Sequence, residues 1–196
     1  MRPGRLTQGA PLIVLAACLA SGACQLRRPD TAPTRMIEPQ LVEPTRPPAT
    51  GPGSTPVRLL DTQARGHIGR SVLHQQADGE LVADPVWRWP SSPDRYLDTA
   101  LRLELSANPN VRLVDAASAP ALAATLLAWH LESTGGTRLV GAVELRFTAT
   151  DRAVRTQVVK GSEPVSATLP GDLAAAAGRL LQRLASEAVA TVSGGR

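Results

Sequence analysis

The stretch Ala121-Leu122-Ala123-Ala124-Thr125-Leu126-Leu127-Ala128-Trp129-His130-Leu131-Glu132 decides the fold, because it can be read in two ways. Ala121 to Leu127 is rich in helix formers, and propensity alone says helix. Yet Ala123, Thr125, Leu127, Trp129 and Leu131 alternate with Ala124, Leu126, Ala128, His130 and Glu132, and the stretch runs directly into Ser133-Thr134-Gly135-Gly136, a turn. Beyond that turn Val143, Leu145 and Phe147 alternate with Glu144, Arg146 and Thr148, the pattern of a strand with one polar face. We therefore read 122–132 and 138–150 as a long antiparallel pair. A turn at Asp151-Arg152 leads to a third strand over about 153–161.

Working outward, Val86-Trp87-Arg88-Trp89-Pro90 closes a β-rich run that Pro90 ends by removing a ladder donor. A helix follows over about 93–106. Ser92 is placed to cap it with its hydroxyl, Pro93 suits the first helical position and Asp94 puts a carboxylate in the positive first turn. Tyr96, Leu97, Ala100, Leu101 and Leu105 form its apolar stripe, interrupted by Glu104. Before it, Val57 to Leu60 reads as a first strand, and Ser71–Gln76 and Glu80–Val86 form a hairpin around Asp78-Gly79. After it, Val111 to Val114 is a short strand. The clearest helix is the last, over about 172–191, where Leu173, Ala176, Ala177, Leu180, Leu181, Leu184, Ala188 and Val189 share one face. A sheet with at least one buried face and two amphipathic helices predicts an α/β domain of about 140 residues.

The N-terminus does not belong to that domain. Arg2 and Arg5 precede an apolar run from Ala10 to Ala20, too short for a comfortable membrane span, which needs about 20 apolar residues. This is a secretion signal, and Leu15-Ala16-Ala17-Cys18 resembles the bacterial lipoprotein signal, in which the cysteine sulfur receives a diacylglycerol. Ser21-Gly22-Ala23-Cys24 is a second candidate, with a serine where that family prefers leucine. Cys18 fits the motif better, but its use leaves Cys24 as a lone thiol in an oxidising compartment, whereas use of Cys24 discards Cys18 with the signal. The signal is thus 1–17, or 1–23. Leu19 or Gln25 after the cysteine, rather than aspartate, points by the family's sorting rule to the outer membrane. Residues 18–55 then carry the lipidated end and a linker, with eight prolines among the 28 residues from Pro29 to Pro56. At about 3.1 Å per residue such a linker reaches on the order of 100 Å.

Composition excludes some functions. The net charge of +4 includes Arg2 and Arg5, and aromatic residues are 3% of the chain, too few to interleave with basic residues on a nucleic-acid surface. We expect no nucleic-acid partner. There is no glycine-rich phosphate loop. His67, His74 and His130 are scattered, and both cysteines are N-terminal, so the sequence offers no metal or cofactor site. Ser71, Ser91 and Ser92 have no nucleophile motif around them, and Asp78, Asp94, Asp98 and Asp172 fall at turns and helix starts.

Over residues 56–196 the order of features resembles the auxiliary lipoprotein components of ABC-type transporters. The resemblance is carried by Ile68-Gly69-Arg70, the strand ending in Trp87-Arg88-Trp89 with Ser92-Pro93 after it, and the helix with Leu97, Leu101 and Leu105. It continues through the Leu122 to Leu131 and Val143 to Phe147 strands and the closing Ala- and Leu-rich helix. The aromatic residues usual before the first tryptophan are replaced here by Leu81 and Val82. The resemblance implies a three-layer α/β fold with a mixed, largely antiparallel sheet and no enzymatic activity. It also implies partnership with the MCE-domain and permease components of a system that moves phospholipids or other hydrophobic molecules across the envelope. A structural envelope lipoprotein that binds peptidoglycan or organises an assembly is the alternative. Trp87 and Trp89 share a strand face because side chains alternate with period two, and they either pack under the helix that starts at Pro93 or touch a second copy or the transport partner.

Overall fold

The computed structural model describes residues 33–44, 54–151, 153–166 and 170–193; Cys18 and Cys24 lie outside them. The strands, in chain order, are β1 (Arg35–Met36), β2 (Thr55–Leu59), β3 (Gln63–Ala64), β4 (Ser71–Gln75) and β5 (Leu81–Arg88). Helix α1 (Pro93–Ala107) separates these from β6 (Val111–Leu113), β7 (Ala121–Glu132), β8 (Arg138–Thr148) and β9 (Val154–Pro164), and α2 (Pro170–Ser193) closes the fold. The class is α/β, with a mixed, open sheet and two helices, as the sequence predicts.

Strand β7 organises the sheet. One of its edges is antiparallel to β8 along its whole length, and β8 pairs in turn with β9. Its other edge carries three short parallel segments in succession: β2 at Ala121 and Leu122, β3 at Thr125 and Leu126, and β4 at Leu131 and Glu132. Strand β5 lies antiparallel outside β4, and β6 lies parallel outside β2. The helix formers of Ala121 to Leu127 are therefore overridden by two paired edges, each of which satisfies backbone groups a lone helix would satisfy internally. The alternation is not continuous, however. A bulge falls between Leu126 and Ala128, so Leu122, Ala124 and Leu126 share the buried face with Trp129 and Leu131. The row Ala123, Thr125, Leu127, Trp129, Leu131 read from the sequence is split by that extra residue.

Both helices place the expected stripes in the core, and they pack on each other as well as on the sheet. Pro93 opens α1 as expected, but Ser92 makes no side-chain cap. Asp98 is not spent on a helix start: its carboxylate accepts from the Thr62 hydroxyl and from Arg102 Nε at 2.7 Å. Helix α2 approaches the sheet closely because Gly141 and Gly161 face each other across β8 and β9. A Cβ at Gly161 would stand 2.9 Å from a Leu180 methyl, and one at Gly141 would stand 3.1 Å from a Leu184 methyl. The same helix is fastened to β9 through Glu163, 5% exposed, which receives Arg179 at 3.1 Å and Arg183 beside it. A buried carboxylate needs such partners, since an unpaired one would cost several kcal/mol.

Part of the expected linker belongs to the domain. Arg35 and Met36 pair in parallel with Trp87 and Arg88, and the Ile37 N–H donates to the Arg88 carbonyl at 2.9 Å. Ile37 is 3% exposed, Gln40 N–H donates to Ala174, and Gln182 donates to the Val42 carbonyl. Residues 33–44 thus form a strap across α2. Proline-rich composition hid it, because its anchors are a few apolar residues and backbone bonds to distant segments.

The strap crosses α2 at Gly178, where any Cβ would overlap the Gln40 carbonyl. In an ordinary helix interior, alanine for glycine gains about 1 kcal/mol. Here Gly178→Ala should do the opposite, lowering the melting temperature and opening Arg35 to trypsin. An unchanged melt with Arg35 still protected would show that Gly178 does not seat the strap.

Candidate functional site

The Asp78-Gly79 turn brings β4 back against β5, with the Gly79 N–H donating to the Gln76 carbonyl and the Glu80 N–H to Asp78 Oδ1. The pairing is regular from Gln75–Leu81 to Leu73–Ala83 and then breaks, resuming only at Ser71–Arg88. Between those points β5 contains Asp84-Pro85-Val86-Trp87 opposite the single residue Val72. Asp84 holds this bulge. Its Oδ1 accepts the N–H groups of Val86 and Trp87, each at 2.8 Å, and its carbonyl accepts Arg88 Nη1. An aspartate that bonds its own chain two and three residues on is the chemistry of a turn, placed here inside a strand.

His74 on β4 meets the remaining oxygen, Nε2 to Oδ2, at 3.0 Å. Burial works against the charge of Asp84, but the N–H groups of Trp87 and Val86, together with His74, outweigh it and hold the carboxyl below its ordinary value. The pair lines a cavity of about 290 Å³ whose other walls include Ile37 of the strap, Val72, Trp87, Leu131, and Leu173 near the start of α2. Ser133, Thr137 and Ser166 add hydroxyls to its lining. The Arg35 guanidinium stands over the ring of Trp87, one of the lining residues, 5.6 Å from its centroid.

The two tryptophans have different environments. Trp89 is 1% exposed and meets Trp129 edge-on, with ring centroids 6.1 Å apart. Its backbone is held by Arg70, whose carbonyl accepts the Trp89 N–H and whose Nε donates to the Trp89 carbonyl. The free chain therefore does not present Trp89 to a partner. Trp87 is only partly buried, packed against the edge of the core and open toward the cavity. His130 lies on β7, where burial holds its imidazole below the ordinary value, with His67 adding to the effect and Glu132 opposing it. Among the described residues, no three of His, Cys, Asp and Glu converge as metal ligands. Nor is any described helix long and apolar enough to cross a membrane.

The residues sequence reasoning passed over are Arg35, Ile37, His74 and Asp84. A signal for Asp84 was present, since Asp-Pro inside a hydrophobic run favours a turn. For the strap there was only the pair Met36-Ile37 standing among prolines.

No protein-family model matches the chain, and no curated protein matches it. Solved structures do. A Xanthomonas campestris protein of the DUF330 family has a TM-score of 0.67 at 15% identity, over 82% of this chain and 96% of that one. An uncharacterized protein has a TM-score of 0.60 at 14% identity, over 83% and 97%. A minor lipoprotein from Acinetobacter baumannii covers 72% of this chain and 94% of its own at 14% identity, with a TM-score of 0.40. At these identities, the first two likenesses establish a common fold.

Two predictions follow from the site's geometry. Trp89→Ala should cost about 3–5 kcal/mol, as for a fully buried aromatic, and Trp87→Ala well under that. Equal losses in chemical denaturation would contradict the different burial of the two rings. Asp84→Ala should cost about 2 kcal/mol, because two backbone donors lose their acceptor, and Asp84→Asn less, because an amide oxygen can still accept. The folded carboxyl has the lower pKa, so its contribution is present above the unfolded value of 3.8 and is lost as pH falls below it. Acid titration of the melting temperature should show a loss below about pH 4 in the wild type that is smaller in Asp84→Asn.

Proposed function

We propose that the protein is a lipid-anchored, non-catalytic accessory of an ABC-type transport system. It stands on the periplasmic face of the outer membrane and works with MCE-domain and permease components that move phospholipids or other hydrophobic molecules. The observation that carries this reading is a conjunction: a lipobox ending at Cys18, ahead of a domain that shares its fold along nearly its whole length with a DUF330 protein. Acyl chains suit such a tether, since each buried methylene contributes about 0.8 kcal/mol and more than one chain is needed for stable attachment.

The use of the polar groups supports a binding role over a catalytic one. Both oxygens of Asp84 are engaged, by Val86, Trp87 and His74, and this holds β5 in its bulged course. Glu163 is likewise committed to two arginines of α2. These are carboxylates that fix elements in place, which serves a rigid adaptor.

Intact-mass spectrometry of the membrane-extracted protein tests the anchor, with a tri- or diacylated cysteine expected at residue 18 or 24. Deletion of the gene tests the transport role. Loss of outer-membrane lipid asymmetry, restored by the wild type and not by a form with both cysteines changed to serine, is the expected result. Unchanged permeability with altered cell shape would overturn transport in favour of a structural envelope role.

A further inference from the structure

We propose that the cavity beside Trp87 binds the aliphatic end of an anionic amphiphile, with the Arg35 guanidinium meeting its acidic head. As a biological role this rests on the transport reading above, and as chemistry it rests on the cavity. The walls from Ile37, Val72, Leu131, Val165 and Leu173 are aliphatic, and the Trp87 ring adds an aromatic side. The volume, about 290 Å³, is at the low end of the roughly 300–1,000 Å³ of small-molecule sites. That is room for the end of one chain, the rest of the molecule remaining outside.

Aliphatic walls alone would accept any hydrocarbon, so the polar groups decide what else the ligand carries. Among the described lining residues Asp84 is the one acidic side chain, and its oxygens are engaged by two backbone N–H groups and by His74. It is turned to the protein rather than offered to a ligand. Arg35 is the opposite case: it is exposed, rests on the face of Trp87, and takes part in none of the ion pairs among the described residues. A guanidinium held over a ring that lines the cavity is a ready partner for a carboxylate or phosphate. The hydroxyls of Ser133, Thr137 and Ser166 can bond the same head.

The strap gives the site its dependence on the N-terminal segment. Arg35 and Ile37 supply the cation and one wall, and both are positioned by the pairing of Arg35 and Met36 with β5. A chain lacking residues 33–44 would therefore lose the cation and one wall of the proposed site.

The test uses the full chain with Cys18→Ser and Cys24→Ser, so that it carries no acyl chains of its own. It is titrated with a brominated twelve-carbon fatty acid below its micelle concentration, following tryptophan fluorescence. Saturable quenching with one ligand per chain is expected, since Trp87 lines the cavity. Thr137→Phe, which fills the cavity from a partly exposed position, should weaken binding by about tenfold or more. Arg35→Glu, at an exposed position where folding is not at stake, should weaken it several-fold, and Arg35→Lys should keep most of it. The matching brominated alcohol should bind less tightly than the acid, and a short-chain phosphatidic acid should compete.

Absence of saturable quenching, or quenching indifferent to both Thr137→Phe and Arg35→Glu, would overturn the site. Competition by inorganic phosphate alone would overturn its amphiphile character and leave an anion site. Binding in vitro together with unchanged envelope permeability on deletion would reject the transport reading and keep the site. Altered lipid asymmetry without binding would do the reverse.

Discussion

The backbone of β7 is the constraint on which the rest of the fold depends. A twelve-residue strand in the middle of a sheet has N–H and C=O groups on both edges, and each buried group left without a partner would cost on the order of 1–3 kcal/mol. One edge is matched by a single strand of similar length, β8. The other is matched piecewise by β2, β3 and β4, with the intervening loops running past it. The Arg65 N–H donates to Leu126 and the Leu60 N–H to Leu122, so even residues between the short strands contribute bonds to β7. Once β7 is fixed, the hairpin of β4 and β5, the long meander through β9 and the seat of α2 follow.

That seat is determined by small residues on the sheet as much as by large ones on the helix. Leu180 and Leu184 fit because Gly141 and Gly161 leave the floor of β8 and β9 bare beneath them. Glu163 then fixes the rotation of α2 by binding Arg179 and Arg183, four residues apart and so on one face of the helix. Apolar packing is indifferent to small slips, whereas an ion pair buried at one end tolerates few geometries. The combination explains how an alanine-rich helix, with little shape to its side chains, keeps one register against the sheet.

Much of this was legible because it is local. Asp78-Gly79, the Pro93 helix start and the stripe of Leu180, Leu181 and Leu184 are signals carried by neighbours in sequence, and the elements stand where those residues put them. The strand reading of β7 also succeeded, since alternation survived a composition that favours helix. What escaped depends on pairs distant in the chain. The bulge at Leu127 exists only in relation to β8, where Leu126 faces Val143 and Ala128 faces Ala142. The cavity was unreadable for the same reason: Ile37, His74, Asp84, Leu131 and Leu173 come from five separate segments. Gly178, which follows a run of four alanines, carries no local signal that it is the crossing point of the strap.

The strap also changes what the N-terminal segment can do. If the whole proline-rich stretch were free, a domain beginning near Pro56 could work on the order of 100 Å from the lipid anchor proposed above. With Pro33 to Pro44 placed along β5 and α2, the chain available for tethering ends at Pro33. From Cys18 that is about 15 residues, and at no more than 3.3–3.6 Å each they reach roughly 50 Å; from Cys24 the limit is nearer about 30 Å. Under the anchoring proposed above, a tether of that length does not let the domain span the space to the other membrane by itself. Under the transport reading, a tether this short requires a partner that itself approaches the outer membrane.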